Sequence, residues 1–282
     1  MWKERRYILL VTPALVIFIA FFIAPVLTVL RFSFGYYDPN VGLMDVFTLK
    51  NFFKLTEPFY LNTTVRTLAI SLIVVVLCII IGYPVGYFLA RTRFRYKLLL
   101  TTVVLTPVVV GGVVRAYGWM VMLGSVGVIN TTLIRLNIIQ EPLRMMFTPL
   151  AVIVGLTHVL VVFMILSIMS VIRRIDPTLE YAAQDLGANR LQTFLRVTLP
   201  LSLPGLATGS AIVFALSMSS FVIPEFLGGD VVGMLGPEAQ DQTLDLYDWP
   251  LGAAISTLLV LVTAVIMIAH DWFMHKQAVK EM

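Results

Sequence analysis

Charge-free apolar runs set the rhythm of this chain. They extend from Tyr7 to Leu30, Thr67 to Ala90, Leu98 to Val114, Met145 to Ile172, Val197 to Pro224 and Trp249 to His270. About 20 apolar residues cross the hydrocarbon of a bilayer, and the third run continues past Arg115 to about Leu123, so the pattern predicts six transmembrane helices. The stretches between them reach only about thirty residues, too short for a separate soluble domain. The expected architecture is an all-α membrane protein, one transmembrane domain over residues 1–282, carrying a distinct loop at 173–203.

Two of the connecting stretches carry local patterns. In the loop from Arg31 to about Arg66, Gly35 and Asp38-Pro-Asn40 precede Phe47 to Leu55, whose aromatic and polar residues alternate at helix-like spacing and predict an interfacial segment. Gly124 to Thr148 has a similar mix and predicts a short helix. Prolines and glycines interrupt the second run (Gly82, Pro84, Gly86), the third (Pro107, Gly111, Gly112) and the fifth (Pro204, Gly205, Gly209). Two readings compete: close helix packing through small residues, or bending of the third and fifth helices along a solute path.

Composition agrees with the pattern. Apolar residues make up 59% of the 282 positions and mean hydropathy is +0.93, well beyond a soluble domain. The two ends and the loops 91–97 and 173–203 hold 13 basic and 6 acidic residues, against 7 and 10 elsewhere. By the positive-inside rule both termini and the loop 173–203 are expected in the cytoplasm. The net charge of +4 reflects this asymmetry and the lipid headgroups; no basic cluster on a soluble domain suggests nucleic acid. The start Met1 to Arg6 followed by a long apolar run is expected to be an uncleaved first helix, since a signal peptide has a shorter apolar stretch. Cys78, the single cysteine, is expected to be a buried residue without a redox role.

The loop 173–203 has the most specific pattern. Asp176-Pro177 is a helix start, with a capping carboxylate and a proline in the first turn. Leu179, Ala182, Ala183 and Leu186 then recur at helical spacing, and Gly187 is placed to close the helix. A second amphipathic segment carries Leu191, Phe194, Leu195, Thr198 and Leu199 and is expected to end at Pro200 and Pro204. Two short helices with a glycine corner form a knob suited to a protein groove.

On Ala182, Ala183, Gly187, Val197, Leu199 and Pro200 the chain resembles the permease family of ABC importers, whose hallmark is Glu-Ala-Ala, three residues, Gly, nine residues, Ile or Val, one residue, Leu-Pro. The departure is Tyr181 at the place of the pattern's Glu, with Glu180 one residue earlier. One position turns a side chain about 100° around a helix, so the carboxylate's contact does not carry over. The resemblance implies a type I importer permease fold in the bacterial inner membrane. It also implies docking of a cytoplasmic ATPase dimer on Glu180, Tyr181, Ala182, Ala183, Asp185, Leu186, Gly187, Phe194 and Pro200. A second permease, a solute-binding protein outside and surrounding lipid complete the implied partners; ATP and Mg belong to the ATPase, with no cofactor or metal in this chain. Within the family the chain is similar to the spermidine/putrescine group through Thr106-Pro107, Val114 to Trp119, Gly124 to Asn130, Phe221 to Pro224 with Gly228-Gly229, and Asp248 to Ala254.

Candidate path residues follow from depth. Arg115 and Glu225 are expected ~25 Å and ~30 Å along the third and fifth helices at about 1.5 Å per residue, near one boundary, either paired inward as a gate or reaching the interface. Tyr117, Trp119, Ser217 and Ser219 are candidates for aromatic and hydroxyl contacts. The acidic Glu225, Asp230, Glu238, Asp241, Asp245 and Asp248 would concentrate a cationic solute. His158 is expected to be a hydrogen-bonded core residue, and Asn62-Thr-Thr64 and Asn130-Thr-Thr132 are chance glycosylation triplets. There is no GxxxxGK[ST] loop, GxSxG elbow, HExxH or Cys/His metal spacing, so the chain is expected to be a transport subunit and not an enzyme. The rival, a secondary transporter or channel driven by an ion gradient, needs ionisable residues near the midplane, and only His158 qualifies.

Overall fold

Apolar segments this long satisfy their backbone groups within themselves only as helices, and helix dominates the computed structural model, which describes residues 12–39, 41–44, 46–92 and 94–280. The expectations for Met1 to Arg6, for the first residues of the first apolar run, for Asn40, for Arg93 and for the last two residues lie outside the described residues. Helix α1 is Thr12–Phe32. A hairpin of β1 (Tyr36–Asp38) and β2 (Gly42–Met44) follows, then α2 (Lys50–Lys54), α3 (Pro58–Arg91), α4 (Lys97–Val109), α5 (Gly112–Leu123), α6 (Val128–Arg135) and α7 (Pro149–Ile172). After these come α8 (Pro177–Asp185), α9 (Arg190–Thr193), α10 (Leu199–Met218), α11 (Val222–Gly228), α12 (Leu235–Gln240) and α13 (Trp249–Lys280). Among the described residues six segments are long and apolar enough to cross a membrane: Thr12–Phe32, Pro58–Arg91, Gly112–Arg135, Pro149–Ile172, Arg190–Met218 and Trp249–His270.

The chain divides into two compact units, Met1–Asn62 with Glu238–Leu261, and Thr63–Pro237 with Val262–Met282. In the first, the antiparallel hairpin pairs Tyr36 with Met44 and Asp38 with Gly42. Asn51, buried at the start of α2, donates to the carbonyls of Ser33 (3.0 Å) and Gly35 (2.9 Å). The Phe34 ring lies between Phe47 and Phe52, each at 5.1 Å. The expected interfacial segment is therefore the single turn of α2, tied down by a buried amide and an aromatic cluster.

The second unit is built on α7, the most enclosed of the six spans. Small residues let neighbours approach it. A side chain at Gly86 of α3 would stand 3.0 Å from the Ile165 carbonyl oxygen, and one at Gly205 of α10 would stand 3.0 Å from that of Ser167. For the second and fifth runs the glycines thus serve close packing. The third run behaves differently. Val110 (ψ 130°) and Gly111 (ψ 144°) are extended, and a side chain at Gly111 would meet nothing within 4 Å. The expected continuous helix to Leu123 is instead α4 and α5 joined by a two-residue break. The Arg115 guanidinium reaches back across it to donate to the Pro107 carbonyl, satisfying a group that the end of α4 leaves without a helical partner.

Two further expectations change. The fifth span does not start after Pro200 and Pro204, because helix runs through both. Phe194–Thr198 forms a π turn in which the Leu199 N–H bonds the Phe194 carbonyl, and this wider turn precedes Pro200 in the first turn of α10, where a missing N–H is tolerated. At its other end α10 stops at Met218, so Glu225 belongs to the separate helix α11 rather than to the fifth span. Helix α11 packs on α5 and α7. There a side chain at Gly155 of α7 would come within 2.8 Å of Ile223 and Leu227, so only a glycine lets α11 lie this close.

Candidate functional site

The knob expected from 173–203 is present as α8, α9 and the π turn. Asp176 caps α8 by accepting from the Thr178 N–H at 2.9 Å, and this backbone hydrogen bond holds its carboxyl below the usual carboxylate range. Leu186 N–H bonds the Ala182 carbonyl, Gly187 N–H that of Gln184 and Ala188 N–H that of Ala183, an arrangement that closes the helix through a left-handed residue. Gly187 is that residue at φ +93°, and a side chain there would touch nothing. Its constraint is backbone conformation, not space. Asn189 then starts α9 with a reciprocal capping box to Gln192.

The outward face of this knob exposes several large apolar side chains among polar ones. Tyr181 is 63% exposed, Leu186 90% and Leu191 65%, with Leu179, Ala182, Asp185 and Gly187 also exposed and Ala183 half-buried. Such a patch on a short, well-capped helix pair is the form of a contact surface. Three residues expected on the docking surface lie elsewhere. Glu180 turns inward to a 2.8 Å ion pair with Arg91 at the end of α3. Phe194 is half-buried, edge-on to Tyr83 (5.5 Å) and Tyr87 (6.4 Å) of α3. Pro200 is half-buried within α10. Sequence reading missed Tyr83, Tyr87 and Arg91 as supports of the knob; their spacing of four on one helix face is the signal that was available.

The path candidates fall on α5, on α11 and at the end of α10. Arg115, Tyr117 and Trp119 are on α5, and Glu225 is in the first turn of the adjoining α11. Tyr117 is 54% exposed with its ring 5.3 Å from Phe226 of α11. Trp119 donates its indole N–H to Nδ1 of His158 at 3.2 Å. His158 is exposed, not a core residue as expected, although Thr157 beside it is buried and Val159 half-buried. Ser217 is fully buried within the chain, whereas Ser219 is exposed and bonds back to the Ala215 carbonyl at 3.0 Å. Cys78 is buried as expected. Asn130 is buried too, which withdraws its triplet from modification.

Known proteins share both the sequence and the fold. The family described as "Binding-protein-dependent transport system inner membrane component" matches residues 79–278. The chain is 34% identical over 252 residues to the spermidine/putrescine transport system permease protein PotB of Escherichia coli (strain K12), covering 89% of this chain and 92% of that one. It is 35% identical to PotB of Haemophilus influenzae, covering 89% and 88%. Among solved structures, a chain of a bacterial alginate ABC transporter superposes with a TM-score of 0.79 at 18% identity, over 96% of this chain and 95% of that one. Six apolar spans, the glycine-cornered knob and these matches identify the chain as a member of the family of inner-membrane permease subunits of binding-protein-dependent ABC importers.

Proposed function

We propose that this permease forms half of an import path for a polyamine or a related small organic compound, worked by a separate ATPase seated on the knob. The observation that carries the docking reading is the exposed apolar face of Tyr181, Leu186 and Leu191 beside the left-handed Gly187. Both termini and the knob lie in the cytoplasm in this reading, supported by the excess of basic residues there. The ATPase dimer holds ATP and Mg, a second permease of a different chain supplies the other half of the path, and a solute-binding protein delivers from outside. The polyamine assignment is supported by the PotB relatives and by the acidic residues between Glu225 and Asp248. Exposed Tyr117, His158, Ser219 and Glu225, with the half-buried Trp119 and Arg115, are the path residues.

Purification of the tagged protein from native membranes tests this reading. A Walker-motif ATPase and a second permease are expected to come with it, and Gly187→Val is expected to lose the ATPase while remaining folded in the membrane. Recovery of the protein alone overturns the docking assignment. Uptake of radiolabelled spermidine by the reconstituted complex, competed by putrescine, tests the solute; transport of neither overturns it.

A further inference from the structure

We infer that Glu180 is a coupling carboxylate and not a docking contact: through Arg91 it fastens the knob to the C-terminal end of α3, so that displacement of the knob moves that span. The inference rests on the reading that an ATPase works the knob.

The chain itself joins the knob to two spans, to α7 through residues 173–176 and to α10 through the π turn. Helix α3 has no such link, since its chain leads away to α4. Side chains supply one. Arg91 donates to the Ile175 carbonyl at 2.9 Å, just ahead of α8, and to Glu180 Oε1 at 2.8 Å. Tyr87, one turn earlier on α3, donates to Glu180 Oε2 at 3.3 Å. Thr198, buried in the π turn, donates to Oε1 at 3.2 Å. One carboxylate thus gathers donors from α3 and from the second half of the knob. Phe194 sets its ring edge-on to Tyr83 and Tyr87, and the Tyr83 hydroxyl shares a 2.6 Å hydrogen bond with Ser202 of α10.

The shielding decides how much this matters. Exposed ion pairs contribute little, because water and salt screen them and two long side chains must be held still. The Arg91 and Glu180 side chains are 18% and 13% exposed, and each has further hydrogen bonds that fix its position. Removing either leaves the other charge unpaired in a poorly solvated place, which costs far more than a surface pair is worth. The one-residue displacement of the carboxylate from the family pattern has its physical reason here. At about 100° per residue, position 180 faces α3 while position 181 faces out, and the outward position is given to the aromatic Tyr181.

The test uses the assembled complex, spin-labelled through cysteines at the exposed positions Phe88 of α3 and Gln184 of α8. The unmodified latch is expected to give one narrow distance distribution, the same with and without ATP. Arg91→Ala and Glu180→Gln are expected to broaden it and to abolish ATP-driven uptake, while the ATPase still co-purifies. The exchange Arg91→Glu with Glu180→Arg is expected to narrow it again, a rescue that a merely misfolded single variant does not show. A distribution unchanged in Arg91→Ala overturns the inference. So does loss of the ATPase from Glu180→Gln with retention in Arg91→Ala, because that pattern marks a docking contact. If the unaltered protein carries no ATPase, the docking reading fails while the distances still report on the latch.

Discussion

Trp119 and His158 join two spanning elements through a side-chain hydrogen bond of 3.2 Å, with the rings edge to face at 5.5 Å. An indole N–H can only donate, so Nδ1 of His158 must offer its lone pair, and the neutral imidazole carries its proton on Nε2. Trp119→Phe keeps the ring and removes the donor. The expected cost is about 0.5–1.5 kcal/mol, a roughly two- to twelvefold fall in uptake, with the protein still folded. Trp119→Ala removes the ring as well and is expected to be worse. Uptake by reconstituted variants checks both, and unchanged uptake in Trp119→Ala would remove this pair from the path.

Two glycines in helices separate packing from propensity. Replacing glycine by alanine within a helix stabilises by about 0.5–1 kcal/mol when nothing is in the way. At Gly118 of α5 an added Cβ meets nothing within 4 Å, and Gly118→Ala is expected to raise the thermal midpoint of the purified chain. At Gly205 it would lie 3.0 Å from both the Ser167 carbonyl oxygen and Val171 Cβ, atoms that cannot swing aside. Overpacking of about 1–3 kcal/mol then wins, and Gly205→Ala is expected to lower the midpoint.

The corner at Gly187 predicts a graded series. A left-handed conformation costs an ordinary L-residue about 1–2 kcal/mol, less for asparagine, whose short amide bonds locally. Gly187→Asn is therefore expected to retain more ATPase on purification than Gly187→Ala, and Gly187→Val least. Since no neighbour crowds the position, a series ordered by side-chain volume alone would contradict the conformational argument.

Asn130 closes the stretch between α5 and α7. Its amide nitrogen donates to the carbonyls of Gly124 and Leu143, each at 3.0 Å, and its oxygen accepts from the Leu143 N–H at 2.8 Å. The residue is fully buried, so each group left unpaired costs about 1–3 kcal/mol. Asn130→Leu is expected to speed proteolysis within residues 136–147 while leaving the spanning helices protected, and an unchanged digestion rate would count against this role.

Apolar run length placed all the spans but the third, which the structure has at Gly112–Arg135 after the separate α4, and the caps Asp176 and Gly187 were legible because each satisfies a local backbone requirement. What the sequence hid depends on neighbours. Pro107 and Gly111 look like Pro84 and Gly82, yet Gly111 is part of a break just after Pro107, whereas the second pair lies in unbroken helix packed on Met164. Pro200 reads as a stop, but a π turn upstream accommodates it. By polarity alone the charged Glu180 would face out and the aromatic Tyr181 in, and only the position of Arg91, 89 residues away, shows the reverse. His158 reads as core because it lies in the middle of an apolar run, and only the structure shows it exposed beside Trp119 of α5.

The break at Val110 and Gly111 changes what the third apolar run can transmit. An unbroken helix is a stiff rod, and a tilt applied at one end appears at the other. Two extended residues remove that stiffness and leave two rods that the Arg115 clasp on the Pro107 carbonyl ties together across the break. Torque entering through α4 reaches α5, and with it Tyr117 and Trp119, through that guanidinium and through the α7 surface on which both rods pack.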